Sequence, residues 1–352
     1  VKTIKPQKLG VATRVFENDR QFFFVASILA FFPFDSPRSL LPEVSLWKFL
    51  ATALGKDAPF DVFMSKLRGE VLVTGKAFAP GGTPRTACSA KLRIGPVAKE
   101  LYVVGDRRWE RNGQSAPEPF LEMPLTWERA FGGPDFPQNP LGRGAAPPAD
   151  GGPHLLPNLE DPRHLVRTPK DRPAPVGFGA YDAMWPQRAS KVGTYDAEWL
   201  ETRFPGFARD MDLAYFNTAP DDQQLDGFFR GDEAFTVENM HPTRPTVTSA
   251  LPGLRARCFV TRRTAEGDAF HEIPMRAETV HLFPDAERAV LIFRGVCRVA
   301  EDDAADVLHL VAACEDLAEA RPVEHYQRVL GERLDRTRGI LLSLRDRDLL
   351  PE

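Results

Sequence analysis

The sequence predicts a mainly β fold, sandwich-like in its packing and α+β overall, with a long ordered Pro/Gly-rich irregular middle and C-terminal helices. Three observations carry that expectation. Proline accounts for 32 of 352 residues, and interior prolines remove hydrogen bonds and clash with the preceding turn, which disfavours a helical bundle. Phenylalanine stands at 25 against 5 tyrosines and 5 tryptophans, an aromatic content suited to core packing. Both ends of the chain carry apolar–polar alternation of period two, and the middle carries none.

Taken in order, the most apolar stretch is Phe22 to Phe34, FFFVASILAFFPF. It falls far short of the ~20 residues a spanning helix needs. It follows Glu17, Asn18, Asp19 and Arg20, a hairpin-turn composition and not the basic start of a signal peptide. A buried strand is expected there, with no membrane or export segment, so the protein is expected in the cytoplasm. Leu46 to Leu54 reads as one short helix. Glu70 to Phe78, then Cys88 to Ile94 with Ala90 and Leu92 inward, then Leu101 to Val104 read as a β-meander.

Residues 117–186 contain fifteen prolines, a density that forbids long helices and central strands. Trp127, Phe131, Phe136, Phe178 and Trp185 lie in the same stretch, and their burial would offset the entropy of ordering it. Residues 142–153 are the part most like a linker. Strands return where Ala256, Cys258 and Val260 alternate with Arg257, Phe259 and Thr261, and again in Arg288 to Val299 after a turn at Asp285-Ala286-Glu287. From Asp306 the pattern turns helical, with Leu308, Val311 and Ala312 on one face and Asp302, Asp303 and Asp306 near its start. A second helix opens at Pro322 and repeats Val323, Tyr326, Leu330 and Leu334. The expected organisation is a body over 1–304 (strand-rich 1–110, Pro/Gly-rich 111–249, strand-rich 250–304) and a helical segment over 305–352.

The charge balance, 45 − 49 = −4, argues against nucleic-acid binding through a basic footprint. Cys88, Cys258, Cys297 and Cys314 form no CxxC pair and suit buried thiols in a reducing compartment. Catalytic signatures fail on spacing. Gly69 to Gly75-Lys76 is one residue too long for a phosphate loop, and Ala77 replaces its hydroxyl. His271-Glu272 meets Met275 where a second zinc ligand belongs, with Pro274 breaking the helix. Gly177-Phe178-Gly179 lacks the rest of a dinucleotide fingerprint. Asp210-Met211-Asp212 and Asp221-Asp222 could hold a hard cation, but turn and cap carboxylates are the favoured reading. No catalytic residue, cofactor or metal ligand is therefore assigned.

Several blocks together resemble one bacterial family, catalogued as domain of unknown function 2169. They include LGVATR at 9–14, EVLVTGKAFAPGG at 70–82, MPLTWERAFGGPDFPQNPLGRG at 123–144, DRPAPVGFGAYDAMWPQR at 171–188 and FNTAPDDQ at 216–223. The resemblance covers roughly residues 1–300. It implies a role beside the type VI secretion apparatus, since such proteins are encoded near the VgrG spike, PAAR-tip proteins and toxic effectors. The implied function is a non-enzymatic adaptor or chaperone that loads an effector onto the spike, its partners being an effector or PAAR-tip protein and VgrG. Two rivals stand beside it: a metal-dependent hydrolase or transferase using Asp210 and Asp212, and a structural accessory of the spike.

The recognition surface is expected in the proline-rich middle, at Trp127, Arg129, Phe131, Phe178, Tyr181, Trp185 and Arg188, where aromatic, Gly and charged residues gather without periodicity. The competing expectation is that these side chains plug irregular loops into the core. A second candidate surface is the C-terminal helix with Ile340, Leu341, Leu342 and Leu344.

Overall fold

The structure, a computed structural model, describes residues 1–55, 64–265, 267–300 and 306–347, with side chains to residue 336. The chain opens with β1 (Lys2–Ile4), a long hairpin of β2 (Leu9–Asn18) and β3 (Gln21–Pro33), and helix α1 (Glu43–Ala53). β4 (Glu70–Val73) and β5 (Lys76–Phe78) precede a second hairpin, β6 (Ala87–Ile94) and β7 (Val97–Val104). In the middle, β8 (Trp109–Glu110), β9 (Gly113–Gln114), β10 (Glu122–Pro124), β11 (Phe131–Gly132), β12 (Arg143–Gly144) and β13 (Leu159–Glu160) are fragments of two or three residues, followed by short helices α2 (Pro186–Ala189) and α3 (Ala197–Thr202). Long strands then resume with β14 (Ala234–Glu238), β15 (Thr246–Ala250), β16 (Leu254–Thr264), β17 (Gly267–Ile273), β18 (Arg276–Phe283), β19 (Arg288–Val299) and β20 (Val307–Asp316). Helix α4 (Val323–Arg347) follows.

Three sheets make the body, in strand orders β2-β3-β19-β18-β4, β13-β7-β6-β14-β15 and β1-β20-β16-β17. Strands from opposite ends of the chain pair within one sheet: β3 runs antiparallel to β19 from Phe22 opposite Val299 to Pro33 opposite Arg288. One face of the first sheet (Phe24, Ala26, Ile28, Ala30, Phe32) joins Leu92, Ile94, Leu101 and Phe235 of the second sheet in the main core. The edge-on contact of Phe34 with Phe235, at 5.0 Å, ties the two sheets together. The opposite face (Leu29, Phe31, Val290, Ile292) packs under Leu46 and Leu50 of α1. Covering on both sides explains why the Phe22 to Phe34 run is apolar throughout.

The same two-sided covering overturns one expectation. Residues 307–316 form strand β20 between β1 and β16, not a helix. Leu310 and Ala312 face the main core, whereas Val311 lies with Phe259, Tyr326 and Leu330 beneath α4. A strand buried on both faces mimics the apolar spacing of a helix, and pairing with two neighbours decides the outcome. Asp306 accordingly caps nothing; its Oδ2 accepts from Arg262 Nε and Nη2 at 3.0 and 2.6 Å. Asp302 and Asp303 lie outside the described residues, as do the side chains of Ile340, Leu341, Leu342 and Leu344. Phe259, expected on the polar side of β16, is fully buried for the same reason.

The expected meander also divides. Residues 70–78 break between Thr74 and Gly75 into β4, which lies parallel to β18 in the first sheet, and β5, which pairs with β10. The helix expected at 46–54 and the one opening at Pro322 are present as α1 and α4.

Buried side-chain amides tie the proline-rich middle together and to the strands beside it. Asn139 Nδ2 donates to Trp127 O (2.8 Å) and Phe131 O (3.0 Å). Asn158 Nδ2 donates to Val104 O (2.9 Å), and Gln223 Nε2 donates to Val71 O (2.7 Å) and Phe178 O (3.0 Å). All three amides belong to fully buried residues, where polar groups must find their partners within the protein.

Candidate functional site

Four of the seven side chains expected at the recognition surface converge on one cleft. Trp127 stacks on Tyr181 with ring centroids 5.1 Å apart, and Trp185 meets Trp127 edge-on at 5.4 Å. Trp127 Nε1 donates to Ala180 O at 2.9 Å, which anchors the indole to the 180–188 segment. Gly177 makes that approach possible, because a Cβ there would stand 3.0 Å from the Trp127 ring. Arg188 holds the segment's far end: Nε donates to Tyr215 O at 3.0 Å and Nη1 to Tyr181 O at 3.1 Å, with the guanidinium 4.7 Å from the Tyr215 ring centre.

The other three do not join them. Phe178 is fully buried in the main core. Phe131 sits in a satellite core with Leu156 and Val166. Arg129 Nη1 donates to Asp106 Oδ1 at 3.0 Å and Asn158 Oδ1 at 3.2 Å, tying two loops together. Phe178 and Phe131 thus pack into cores, and the half-buried Arg129 bridges two loops away from the cleft.

The cleft itself is a cavity of about 530 Å³ between the 180–188 segment and the outer face of the first sheet. Leu72 of β4, Thr279 and His281 of β18 and Ile292 of β19 form the sheet side. A second depression of about 580 Å³ shares Thr74, Trp127 and Leu141 with it and extends toward Phe49 and Ala53 of α1. The two make one joined groove divided by Trp127 and Leu141. Leu141 is 56% exposed and Met184, in the adjoining segment, 81%, so apolar surface continues past the mouth.

The floor is polar and bound up within the protein. Glu70, fully buried, accepts from Thr218 N (2.8 Å), Thr218 Oγ1 (2.9 Å) and Ala219 N (3.2 Å) and pairs with Lys66 Nζ at 3.0 Å. Lys66 Nζ also donates to Phe216 O at 2.6 Å. Behind this lies a second buried pair, Arg294 Nη1 with Glu278 Oε2 at 3.2 Å. Glu278 further accepts from Ser65 Oγ (2.6 Å) and Lys66 N (2.9 Å). Burial pushes the Glu278 carboxyl above the usual carboxylate range, and Arg294 opposes that rise. None of Lys66, Glu70, Thr218, Leu141 and His281 stood out in sequence except in one respect: His281 is a lone polar ring in an apolar strand, ETVHLF.

His281 Nε2 lies 2.9 Å from Thr74 Oγ1 and its ring stacks on Phe283 at 4.3 Å. Burial pushes its pKa down to about 3. The folded chain therefore keeps it neutral, whereas the unfolded chain takes up a proton near the ordinary value of about 6.5. Below that value the unfolded state binds more protons, so stability should fall as pH drops, by about 2 kcal/mol from this residue at about pH 5, with no contribution well above pH 6.5. Urea denaturation at about pH 7.5 and about pH 5 checks this: His281→Gln should shrink the difference between the two by roughly that amount.

The acidic pairs behave as turn carboxylates. Asp210 Oδ1 and Oδ2 accept from Thr194 N (2.9 Å) and Thr194 Oγ1 (2.8 Å), and Asp212 Oδ1 accepts from Ala214 N (2.9 Å). Asp222 pairs with the buried Lys99 at 2.8 Å. Among the described residues no group of three or more His, Cys, Asp or Glu side chains is placed to hold a metal ion. The four cysteines are free thiols. Burial raises Cys88 and Cys297 to about 11 and Cys314 to about 12, away from thiolate chemistry. Among the described residues no helix is long and apolar enough to cross a membrane.

A family model described as an uncharacterized protein conserved in bacteria (DUF2169) matches residues 19–294, more than three quarters of the chain. No curated protein and no solved structure matches it. The match takes in the second sheet, the first sheet apart from β2 and the end of β19, the whole irregular middle and every residue of the cleft.

Proposed function

The chain belongs to the DUF2169 family of bacterial proteins, and on that footing we propose that it is an adaptor or chaperone for a type VI secretion effector carrying a PAAR tip, which it delivers to the VgrG spike. The observation that carries this reading is the joined groove. Its walls are aromatic and aliphatic, and the buried Lys66–Glu70 pair of its floor is already held within the protein. Such a surface offers shape and apolar area to a polypeptide that would otherwise aggregate. Three sheets and a side-chain-braced middle hold the walls in place, so little ordering cost falls on binding. The role places the protein in the cytoplasm, where its free thiols remain reduced.

Leu141 provides the test, because it is exposed and lines both halves of the groove. Leu141→Asp should leave thermal stability within about 0.5 kcal/mol, as surface substitutions usually do. Co-expressed with the effector encoded beside it, the wild-type chain should co-purify and keep the effector soluble. The variant should lose about tenfold or more of the captured effector, the size expected for removing an interface anchor. Equal capture by both would remove the groove from the function. Trp185→Ala is less informative, since Trp185 is buried and its loss would loosen the wall itself.

A further inference from the structure

Resting on the reading of the groove as a protein-binding site, we propose that its occupant is an extended partner segment in which apolar side chains are interspersed with lysine or arginine. The apolar part follows from the lining already described. The charge follows from the ionisable groups around the joined groove. Lys66 cancels Glu70, and Lys76 cancels Glu122 at 2.6 Å. Among the described lining residues that leaves the exposed carboxylates of Asp182, Glu128 and Asp285. Against them stands Arg188, whose Nε and Nη1 are turned to carbonyl oxygens of the protein. Arg143 approaches Glu128 from outside the groove but pairs with Asp106 at 3.5 Å.

Among the described residues the balance of the mouth is therefore negative. His281, held neutral by burial, does not offset it. Burial first, then the carboxylates of Asp222 and Asp221, raise the Tyr181 phenol; Asp222 is itself paired with Lys99 at 2.8 Å and adds nothing to the balance. A cleft with low-dielectric walls concentrates such a field. Trp127 and Tyr181, both half-buried, add ring quadrupoles that favour a cation within about 6 Å. An anionic or purely apolar segment would fill the same volume without using any of these features.

The test uses the full-length chain and three fluorescein-labelled, acetylated dodecapeptides, with leucine alternating with lysine and serine, with glutamate and serine, or with serine alone. Fluorescence polarisation should give the lysine peptide an affinity about tenfold or more above the glutamate peptide. That advantage should shrink several-fold in Asp182→Asn/Asp285→Asn, which preserves side-chain shape, and between about 50 and about 500 mM salt. Equal or tighter binding of the glutamate or serine peptide overturns the charge assignment. So does an advantage that neither salt nor the double variant diminishes, because it would arise elsewhere on the surface. Absence of binding by all three peptides overturns the proposal as well. In each case the groove reading is judged separately by effector capture with Leu141→Asp, so the two failures are distinguishable.

Discussion

Replacing Glu278 with alanine is expected to lower the stability of the folded chain by about 3–5 kcal/mol, the range for breaking a buried ion pair from one side. Glu278 and Arg294 are both fully buried, so removing the carboxylate takes one charged partner from the guanidinium with no solvent to replace it. The same carboxylate accepts from Ser65 Oγ and Lys66 N, and Lys66 in turn pairs with Glu70 on the floor of the groove. The variant should therefore loosen the floor as well as the sheet. Urea denaturation measures the loss. Glu278→Leu combined with Arg294→Met should cost less than the single change, because the two opposite buried charges are then removed together. A loss below about 1 kcal/mol for Glu278→Ala, the scale of an exposed pair, would show that the pair does not brace the fold.

Phe178→Ala should cost about 3–5 kcal/mol, as for other fully buried aromatic side chains truncated in a packed core. Phe178 lies in the main core, and the Lys99 ammonium stands 5.7 Å from its ring centre. Its carbonyl accepts from Gln223 Nε2 at 3.0 Å and from Val73 N at 3.2 Å. The residue thus joins the irregular middle to β4, and its loss should lower the thermal midpoint. At temperatures where the variant is still folded, effector capture should be unchanged. A stable variant that had lost capture would return Phe178 to the recognition surface from which its burial removes it.

These two residues also mark where sequence reasoning succeeds and where it stops. Phe178 sits between two glycines in a segment with no periodicity, and such a pattern cannot distinguish a partner contact from a core plug. What separates it from Trp127, two loops away, is only which neighbours close over it. Glu278 lies in RAETVHLF, which reads as one strand of period two. Nothing local reveals that a buried arginine on the adjacent strand, itself in register with Arg276, reaches its carboxylate. The pair depends on a bulge between Ala277 and Thr279 in the β18–β19 hairpin, and on residues 65–66, more than 200 positions away in the chain.

The same limit explains β20. Its apolar residues at 308, 311 and 312 fit one face of a helix, and they also fit a strand covered on both faces. Local propensity separates these weakly. Pairing with β1 on one side and β16 on the other settles the matter, and both partners are remote.

The residues by themselves determined a β-rich body, a buried strand over Phe22 to Phe34, a return to strands after residue 250, a short helix near 46–54, a helix opening at Pro322 and an ordered proline-rich middle. These follow from composition, period and turn chemistry, which act over a few neighbouring positions. Only the tertiary structure decided which aromatic side chains open onto a groove and which vanish into the core, where the acidic mouth lies, and which charges are neutralised beneath it. Those outcomes depend on burial and charge pairing between segments far apart in the chain, quantities that no local pattern encodes.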